Sequence, residues 1–205
     1  MRPDPSPLVE AVRAWRVEPF DMGVCNGREF VLMASIGFDA DVLHALAARR
    51  TGPISHTSYI APVVHSLLRP TIRALTVEVD GRTIVDGRQG NIVVANCGRY
   101  ALGLDPCPDA RMDDGALDVV FAPSGSSLRT LAWMGMALAR VGTRSRSLAR
   151  ARGSHITVRV DRAGACTDPP AARFQLDGEA LRSPASAGVF TLGVRARALP
   201  VLLPA

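Results

Sequence analysis

Lysine is absent from this 205-residue chain, so all 24 side chains counted as lysine or arginine are arginines. Without lysine there is no Schiff base to a carbonyl cofactor, no phosphate-binding lysine of a P-loop and no serine–lysine pair. Aromatic residues make up only 5% of the chain. None of them interleaves with the densest arginine run, which disfavours a platform that stacks single-stranded bases.

Long apolar runs are also missing. The stretch 131–138 is among the longest, and it falls well short of the ~20 residues that a membrane-spanning helix needs. No apolar run follows the first five residues, so the sequence predicts no signal peptide and a cytoplasmic location.

Metal-binding and nucleotide-binding patterns are missing as well. The cysteines have no CxxC spacing and the histidines no HExxH spacing, so we expect free thiols rather than a zinc site. No two glycines lie two residues apart, which excludes GxGxxG, and neither a P-loop nor a GxSxG motif occurs. The sequence therefore encodes no self-contained nucleotide site of a common kind. The cysteines are Cys25, Cys97, Cys107 and Cys166.

What the chain does contain is many short apolar runs separated by turn residues. With 47% hydrophobic and 21% charged residues, one substantial core is expected. Asn-Gly and Asp-Gly pairs between apolar runs predict hairpins. Strands are predicted at 20–25, 28–35, 71–79, 83–85, 90–96, 117–122, 154–160, 172–176 and 189–194.

Helical spacing of apolar residues predicts helices near 7–16, 40–49, 57–68 and 126–141, with Asp39 as the N-cap of the second. The elements do not alternate as β-α-β units, which disfavours a doubly wound sheet. We therefore predict a mainly β (α+β) fold, an antiparallel β-sandwich with three or four peripheral helices. Residues 1–205 are expected to form a single domain.

The net charge of +5 points to anionic partners: phosphates, acidic lipid headgroups or nucleic acid. A solvated charged face is the favoured interpretation of the densest arginine run, and no nucleic-acid partner is expected. The competing interpretation, nucleic-acid binding, requires one contiguous basic stripe and binding that salt weakens steeply. The run comprises Arg140, Arg144, Arg146, Arg150 and Arg152.

Two acidic clusters stand out near predicted strands. Residues 111–118 hold three aspartates around Gly115, and a turn of this kind can offer one carboxylate and backbone carbonyls to Mg²⁺. Asp177-Gly178-Glu179 follows a strand, and one of its carboxylates could act as a general base toward a hydroxyl. Taken alone, each cluster is more typical of a polar turn than of a functional site.

Taken together with their surroundings, these segments resemble the diacylglycerol kinase-like lipid kinases, a family that includes sphingosine kinases and is related to NAD kinases. The resemblance runs from about residue 10 to the end of the chain. It rests on the spaced set rather than on any single piece. The matching segments are Asp21-Met22-Gly23 with Asn26-Gly27-Arg28, then 36–42, 90–100, 108–120 and 175–179.

The resemblance implies an ATP-dependent phosphorylation of a lipid hydroxyl. Carried over from the family, Asp177 is the catalytic base and Glu179 supports it or helps to orient a metal ion. A structural Mg²⁺ would bind the side chain of Asp114 and the carbonyls of Arg111 and Ala116. The lipid substrate would be diacylglycerol-like or sphingosine-like, and the chain could associate with a membrane surface.

The sequence also departs from the family. Its Gly-Gly-Asp-Gly-Thr loop, which binds ATP phosphates in a preceding domain, does not occur here. We therefore expect ATP to bind only together with a separate nucleotide-binding domain, and the chain alone to be inactive. Cys97 and the segment 101–104 replace glycines that are usual in the family. The alternative is a non-catalytic lipid- or protein-binding sandwich, and a homo-oligomer remains open.

Overall fold

The structure is a computed structural model that describes residues 4–49, 60–68, 73–98, 105–139, 145–161, 173–182 and 188–203. Within these ranges the chain forms eleven strands and four helices. In chain order they are α1 (Ser6–Ala14), β1 (Arg16–Cys25), β2 (Arg28–Phe30), β3 (Met33–Ile36), α2 (Phe38–Arg49), α3 (Ile60–Leu68), β4 (Ala74–Val79), β5 (Arg82–Ala95), β6 (Leu117–Pro123), α4 (Ser127–Leu138), β7 (Ala149–Gly153), β8 (His155–Val160), β9 (Arg173–Leu176), β10 (Glu179–Arg182) and β11 (Val189–Leu203). The predicted mainly β fold with peripheral helices is confirmed.

All strand pairs are antiparallel, and strand β5 belongs to both halves of the strongly curled sheet. Its first part pairs with β4, whereas its last part lies between β3 and β6. The curl is tight at Gly90, where a Cβ would lie 2.4 Å from the ring of Phe121 and 2.5 Å from the carbonyl oxygen of Ala122. The absence of a side chain at Gly90 therefore lets β5 and β6 approach closely where the sheet curls. The strand order is β10-β9-β3-β5-β4-β8-β11-β1-β2, with β6 and β7 continuing from β5.

The main core fills the inside of the curl. Alternate residues of each strand point into it, as Leu75, Val77 and Val79 of β4 do. A smaller apolar cluster on the outer face of β3, β5 and β6 packs against Trp133 of α4. Because residues 92–95 are covered on both faces, they form a continuous apolar run rather than an alternating one.

The four helices occur close to where the sequence predicts them, and the strands differ in six places. Strand β1 begins at Arg16 rather than at 20, and β11 continues to Leu203 rather than ending at 194. The predicted strand 28–35 is two strands, and 83–85 joins 90–96 in β5. Strands β7 and β10 were not predicted. In β7, Ala149 and Ala151 pack against the core and alternate with arginines. Because alanine is only weakly apolar, the alternation of apolar and polar residues is hard to detect within this arginine-rich segment. Residues 57–59, 71–72, 140–141 and 172 of the predicted elements lie outside the described residues.

None of the helices in the described ranges is both long and apolar enough to cross a bilayer.

Candidate active site

Asp177 occupies the turn between β9 and β10. Asp177 and Gly178 have φ values of 49° and 90°, as a two-residue hairpin turn of the primed type requires. The Asp177 carboxylate lies over the gap between β2 and β3. Its Oδ2 accepts a hydrogen bond from the Val31 N–H at 2.6 Å, and its Oδ1 accepts from Leu32 and Met33 at 2.8 and 2.9 Å. These bonds, which take the three N–H groups away from any strand ladder, explain why the predicted strand 28–35 is broken.

Among the residues that the structure describes, no partner takes the last acceptor position of this carboxylate. A carboxylate offers about four lone-pair sites, two on each oxygen. Oδ1 of Asp177 uses two of them and Oδ2 uses one. Oδ2 is therefore the atom that could accept a further hydrogen bond from a ligand hydroxyl.

The two residues predicted to be catalytic lie at the same turn, Asp177 within it and Glu179 directly after it. Glu179 is exposed, whereas Asp177 is half-buried. The difference arises because the Asp177 carboxylate folds back onto β3, where the Asp177 N–H also donates to the Met33 carbonyl at 3.0 Å.

A buried amide connects this turn to the first turn of α2. Gln175 is fully buried, and its Oε1 accepts from the Gly178 N–H at 2.7 Å. Its Nε2 donates to Ser35 Oγ at 2.9 Å and to Asp39 Oδ2 at 3.4 Å. The Ser35 hydroxyl also donates to Asp39. Sequence reasoning gave Gln175 no role of its own, although a polar residue between Phe174 and Leu176 on a buried strand is itself a signal.

Of the described residues that line a small apolar cavity, Asp39 alone is acidic. Burial raises the pKa of its carboxyl, and hydrogen bonds from Ser35, Ala40 and Gln175 act in the opposite direction. The cavity has a volume of about 40 Å³, which is room for a few methylene-sized groups. Its other lining residues are Met33, Phe38, Val93, Pro106, Trp133, Met134 and Ala137.

The prediction that Asp39 caps α2 is wrong. The helix begins at Phe38, so Asp39 lies inside its first turn. The Phe38 N–H donates instead to Oδ1 of Asn91, at 2.8 Å. The cap comes from strand β5, and sequence spacing along the helix could not reveal it.

The acidic turn at 111–116 is anchored by a residue far away in sequence. Asp21 is 1% exposed, and its two carboxylate oxygens accept from the N–H groups of Gly115 at 2.7 Å and Arg197 at 2.8 Å. Its own N–H donates to the Met112 carbonyl at 2.6 Å. Asp21 therefore fixes the turn to β1 and β11.

The predicted Mg²⁺ ligands lie in this turn, and one of them, the Asp114 carboxylate, has other partners. Arg111 pairs with Asp113, Nε to Oδ1 at 3.0 Å. Oδ1 of Asp114 accepts from the Ala116 N–H at 3.1 Å, and Oδ2 forms an ion pair with Arg152. Carboxylate and carbonyl oxygens suit Mg²⁺, but in this arrangement a guanidinium already faces Asp114, so the turn does not fit a bound Mg²⁺. Across the described residues, no group of three or more His, Cys, Asp or Glu side chains is placed to hold a metal ion.

Comparison with known proteins identifies the family. Residues 33–203 match the family described as the YegS C-terminal NAD kinase beta sandwich-like domain. The chain belongs to this family. This match confirms the predicted resemblance to the C-terminal domain of the diacylglycerol kinase-like family. No curated protein matches the chain in sequence.

Solved structures share the fold of this YegS C-terminal domain. A crystal structure of a diacylglycerol kinase from Bacillus anthracis str. Sterne superposes with a TM-score of 0.60 at 14% identity, over 94% of this chain and 56% of that one. Two further structures, of a candidate diacylglycerol kinase from the same strain, give TM-scores of 0.65 and 0.62 at 15% and 17% identity. Each match covers 94% of this chain and 59% of the other one. The chain thus spans less than two thirds of the proteins it resembles.

Proposed function

We propose that this YegS C-terminal domain is the lipid-binding half of a diacylglycerol kinase-like phosphotransferase. Together with a nucleotide-binding domain it would transfer the γ-phosphoryl group of ATP to the hydroxyl of a diacylglycerol-like or sphingosine-like lipid. By itself the chain would bind lipid and transfer nothing. Family membership supports the class of reaction, and one feature of the geometry supports the role of the chain.

That feature is the fixed Asp177 carboxylate with one free acceptor position on Oδ2. Three N–H groups hold its two oxygens in place. Phosphoryl transfer has a loose transition state in most analyses, so catalysis is mainly positioning and charge stabilisation. A carboxylate that accepts the hydrogen bond of the lipid hydroxyl at Oδ2 would orient the attacking oxygen and receive its proton as the new P–O bond forms and the bond from the γ-phosphorus to the departing ADP breaks.

Glu179 is exposed beside this turn. At this position its carboxylate could support Asp177 or orient a group that arrives with the nucleotide. No backbone cradle for a triphosphate is encoded in the sequence, so the phosphate-binding groups must come from the nucleotide-binding domain. This is the physical reason to expect no turnover by the chain alone.

The small apolar cavity at Asp39 supports binding of the lipid. Its walls are apolar, and Asp39 contributes one carboxyl. A cavity of about 40 Å³ admits only the end of an alkyl chain, so a complete acyl chain would require α4 to move away from the sheet. A lipid substrate also implies peripheral contact with a membrane surface on the cytoplasmic side.

The test is reconstitution of the chain with the nucleotide-binding domain of a structural relative, followed by measurement of ATP-dependent phosphorylation of dioctanoylglycerol and of sphingosine. We expect turnover by the reconstituted protein and none by the chain alone. Asp177→Asn removes the free Oδ2 acceptor and should lower turnover by two or more orders of magnitude, while the fold and lipid binding persist.

The chain supplies a matched control for this substitution. Asp80, in the Asp80-Gly81 turn, also has a positive φ, of 46°, and its Oδ1 accepts from the N–H groups of Ser154 and His155 at 3.2 and 2.9 Å. Asp80→Asn should disturb a turn of the same kind and leave turnover within a few-fold of the parent. Equal losses in the two variants would show that Asp177 acts only through the fold.

The second candidate function is a non-catalytic lipid- or protein-binding module. It is favoured by the same hydrogen bonds, because holding β9, β10 and the β2–β3 gap together is a complete structural role for Asp177. This candidate predicts that dioctanoylglycerol binds to the chain, and that no reconstituted form phosphorylates it.

A further inference from the structure

Two acidic side chains approach each other beside the turn at 111–116. The side chains of Asp114 and Asp118 are only 17% and 19% exposed. Like charges removed from water in this way repel one another unless a cation lies between them. The question is which cation this chain uses.

Strand pairing brings an arginine to this position. In the β6–β7 ladder Asp118 lies directly opposite Arg152. The Arg152 guanidinium forms an ion pair with Asp114 Oδ2, and its Nε lies 4.0 Å from Asp118 Oδ2. One planar group with several N–H donors thus faces both carboxylates.

The position of Arg152 is fixed by the fold rather than by the reach of a flexible side chain alone. Its neighbours in β7, Ala151 and Gly153, pair with Val119 and Leu117 of β6, and a one-residue slip would turn Arg152 toward the core. At Gly153 a Cβ would lie 2.5 Å from Val79 Cγ1 and 2.3 Å from Asp80 Oδ2, which also holds the register.

We propose that Arg152 is the built-in cation of this turn and takes the place in which a structural Mg²⁺ is expected from the sequence. A guanidinium attached to a strand loses no translational freedom when it pairs, whereas Mg²⁺ must displace it and give up part of a tightly held hydration shell. The chain therefore closes the turn without metal, and Mg²⁺ binds at Asp114 only when Arg152 is removed. This inference does not depend on the proposed kinase function.

The test uses the whole chain and measures thermal unfolding with and without Mg²⁺, at constant ionic strength. The midpoint of the parent protein should not respond to Mg²⁺. Arg152→Gln should unfold roughly 2–4 °C lower without metal and recover most of that loss when Mg²⁺ is added. Arg111→Gln is the matched control, because it removes the neighbouring arginine that pairs with Asp113 and leaves Arg152 in place; its midpoint should not respond to Mg²⁺.

Mn²⁺, followed by electron paramagnetic resonance, provides a second measurement that does not depend on how stable the variant is. We expect no Mn²⁺ bound by the parent chain and one bound by Arg152→Gln, lost again in the double variant with Asp114→Asn. A parent chain that binds Mn²⁺ at a site abolished by Asp114→Asn would overturn the proposal, as would a folded Arg152→Gln variant that gains no metal response. If Arg152→Gln does not fold even with Mg²⁺, the parent chain alone decides between these outcomes.

Discussion

The hydrogen bonds of Asp177 should make it one of the most stabilising turn residues of the chain. Asp177→Ala removes all three bonds to the N–H groups of Val31, Leu32 and Met33. Met33 is 1% exposed and the other two residues are half-buried, so water replaces the carboxylate only in part. Asp177→Asn retains the carbonyl-type oxygen for Leu32 and Met33 and loses the bond to Val31.

The magnitude follows from these contacts. A hydrogen bond to a charged group contributes on the order of 1–3 kcal/mol, and with partial access of water we assign roughly 3 kcal/mol to the three bonds together. Alanine in the left-handed region, where the φ of Asp177 is 49°, adds about 1 kcal/mol. Asp177→Ala should therefore cost about 4 kcal/mol and Asp177→Asn about 1 kcal/mol.

The Asp80→Ala variant separates the cost of backbone strain at positive φ from the cost of losing half-buried hydrogen bonds. Asp80 has a φ of 46°, which imposes the same strain on alanine, but its bonds to Ser154 and His155 are at the exposed surface. Asp80→Ala should cost about 2 kcal/mol, half the loss at Asp177. Urea unfolding of the isolated chain measures all of these variants. Equal losses for the two alanine variants would refute the argument, because the half-buried bonds would then contribute no more than exposed ones.

Two further predictions concern Asp39 and Gly90. Burial raises the pKa of Asp39 above the ordinary aspartate value of 3.8, so the folded chain binds the proton more tightly than the unfolded chain and its stability falls as pH rises from 3.8 through the raised pKa. Asp39→Asn should remove that fall. The urea midpoints of the parent chain and of the variant, measured across pH, test this, and parallel curves for the two proteins would contradict it. Gly90→Ala places a Cβ 2.5 Å from the Ala122 carbonyl oxygen and should destabilise the chain by roughly 1–3 kcal/mol. Gly135→Ala in α4, which meets nothing within 4 Å, should instead be neutral or stabilising by up to about 1 kcal/mol; similar thermal midpoints for both glycine variants would contradict the close-approach argument.

Local pattern predicted most of the secondary structure correctly. The two-residue turns Asn26-Gly27, Asp80-Gly81 and Asp177-Gly178 all have positive φ at both positions, because these residue pairs tolerate the left-handed region. The helices followed from apolar residues at helical spacing. Strand β7 was missed because only two alanines face the core there, which is too little apolar signal to outweigh the arginines around them.

The chemistry of the candidate site was only half visible in the sequence. The motif carrying Asp177 and Glu179 stood out by resemblance, and so did the acidic turn. Gln175, Asp21 and Arg152 did not, because each acts on residues that are distant along the chain. Arg152, for example, belongs to the arginine run for which the sequence favours a solvated face, yet it pairs with Asp114.

The amino-acid sequence by itself determined the class of fold, its turns and the family to which the chain belongs, since these depend on residue type and on short-range periodicity. Tertiary structure alone decided that β5 pairs in both halves of the curled sheet and that Arg152 faces Asp114. It also decided that the Asp177 carboxylate accepts a hydrogen bond from Val31, 146 residues away, between β2 and β3. The physical reason is that strand pairing is chosen by which apolar faces can be buried together. A local pattern states that a face is apolar but does not name the partner that will cover it.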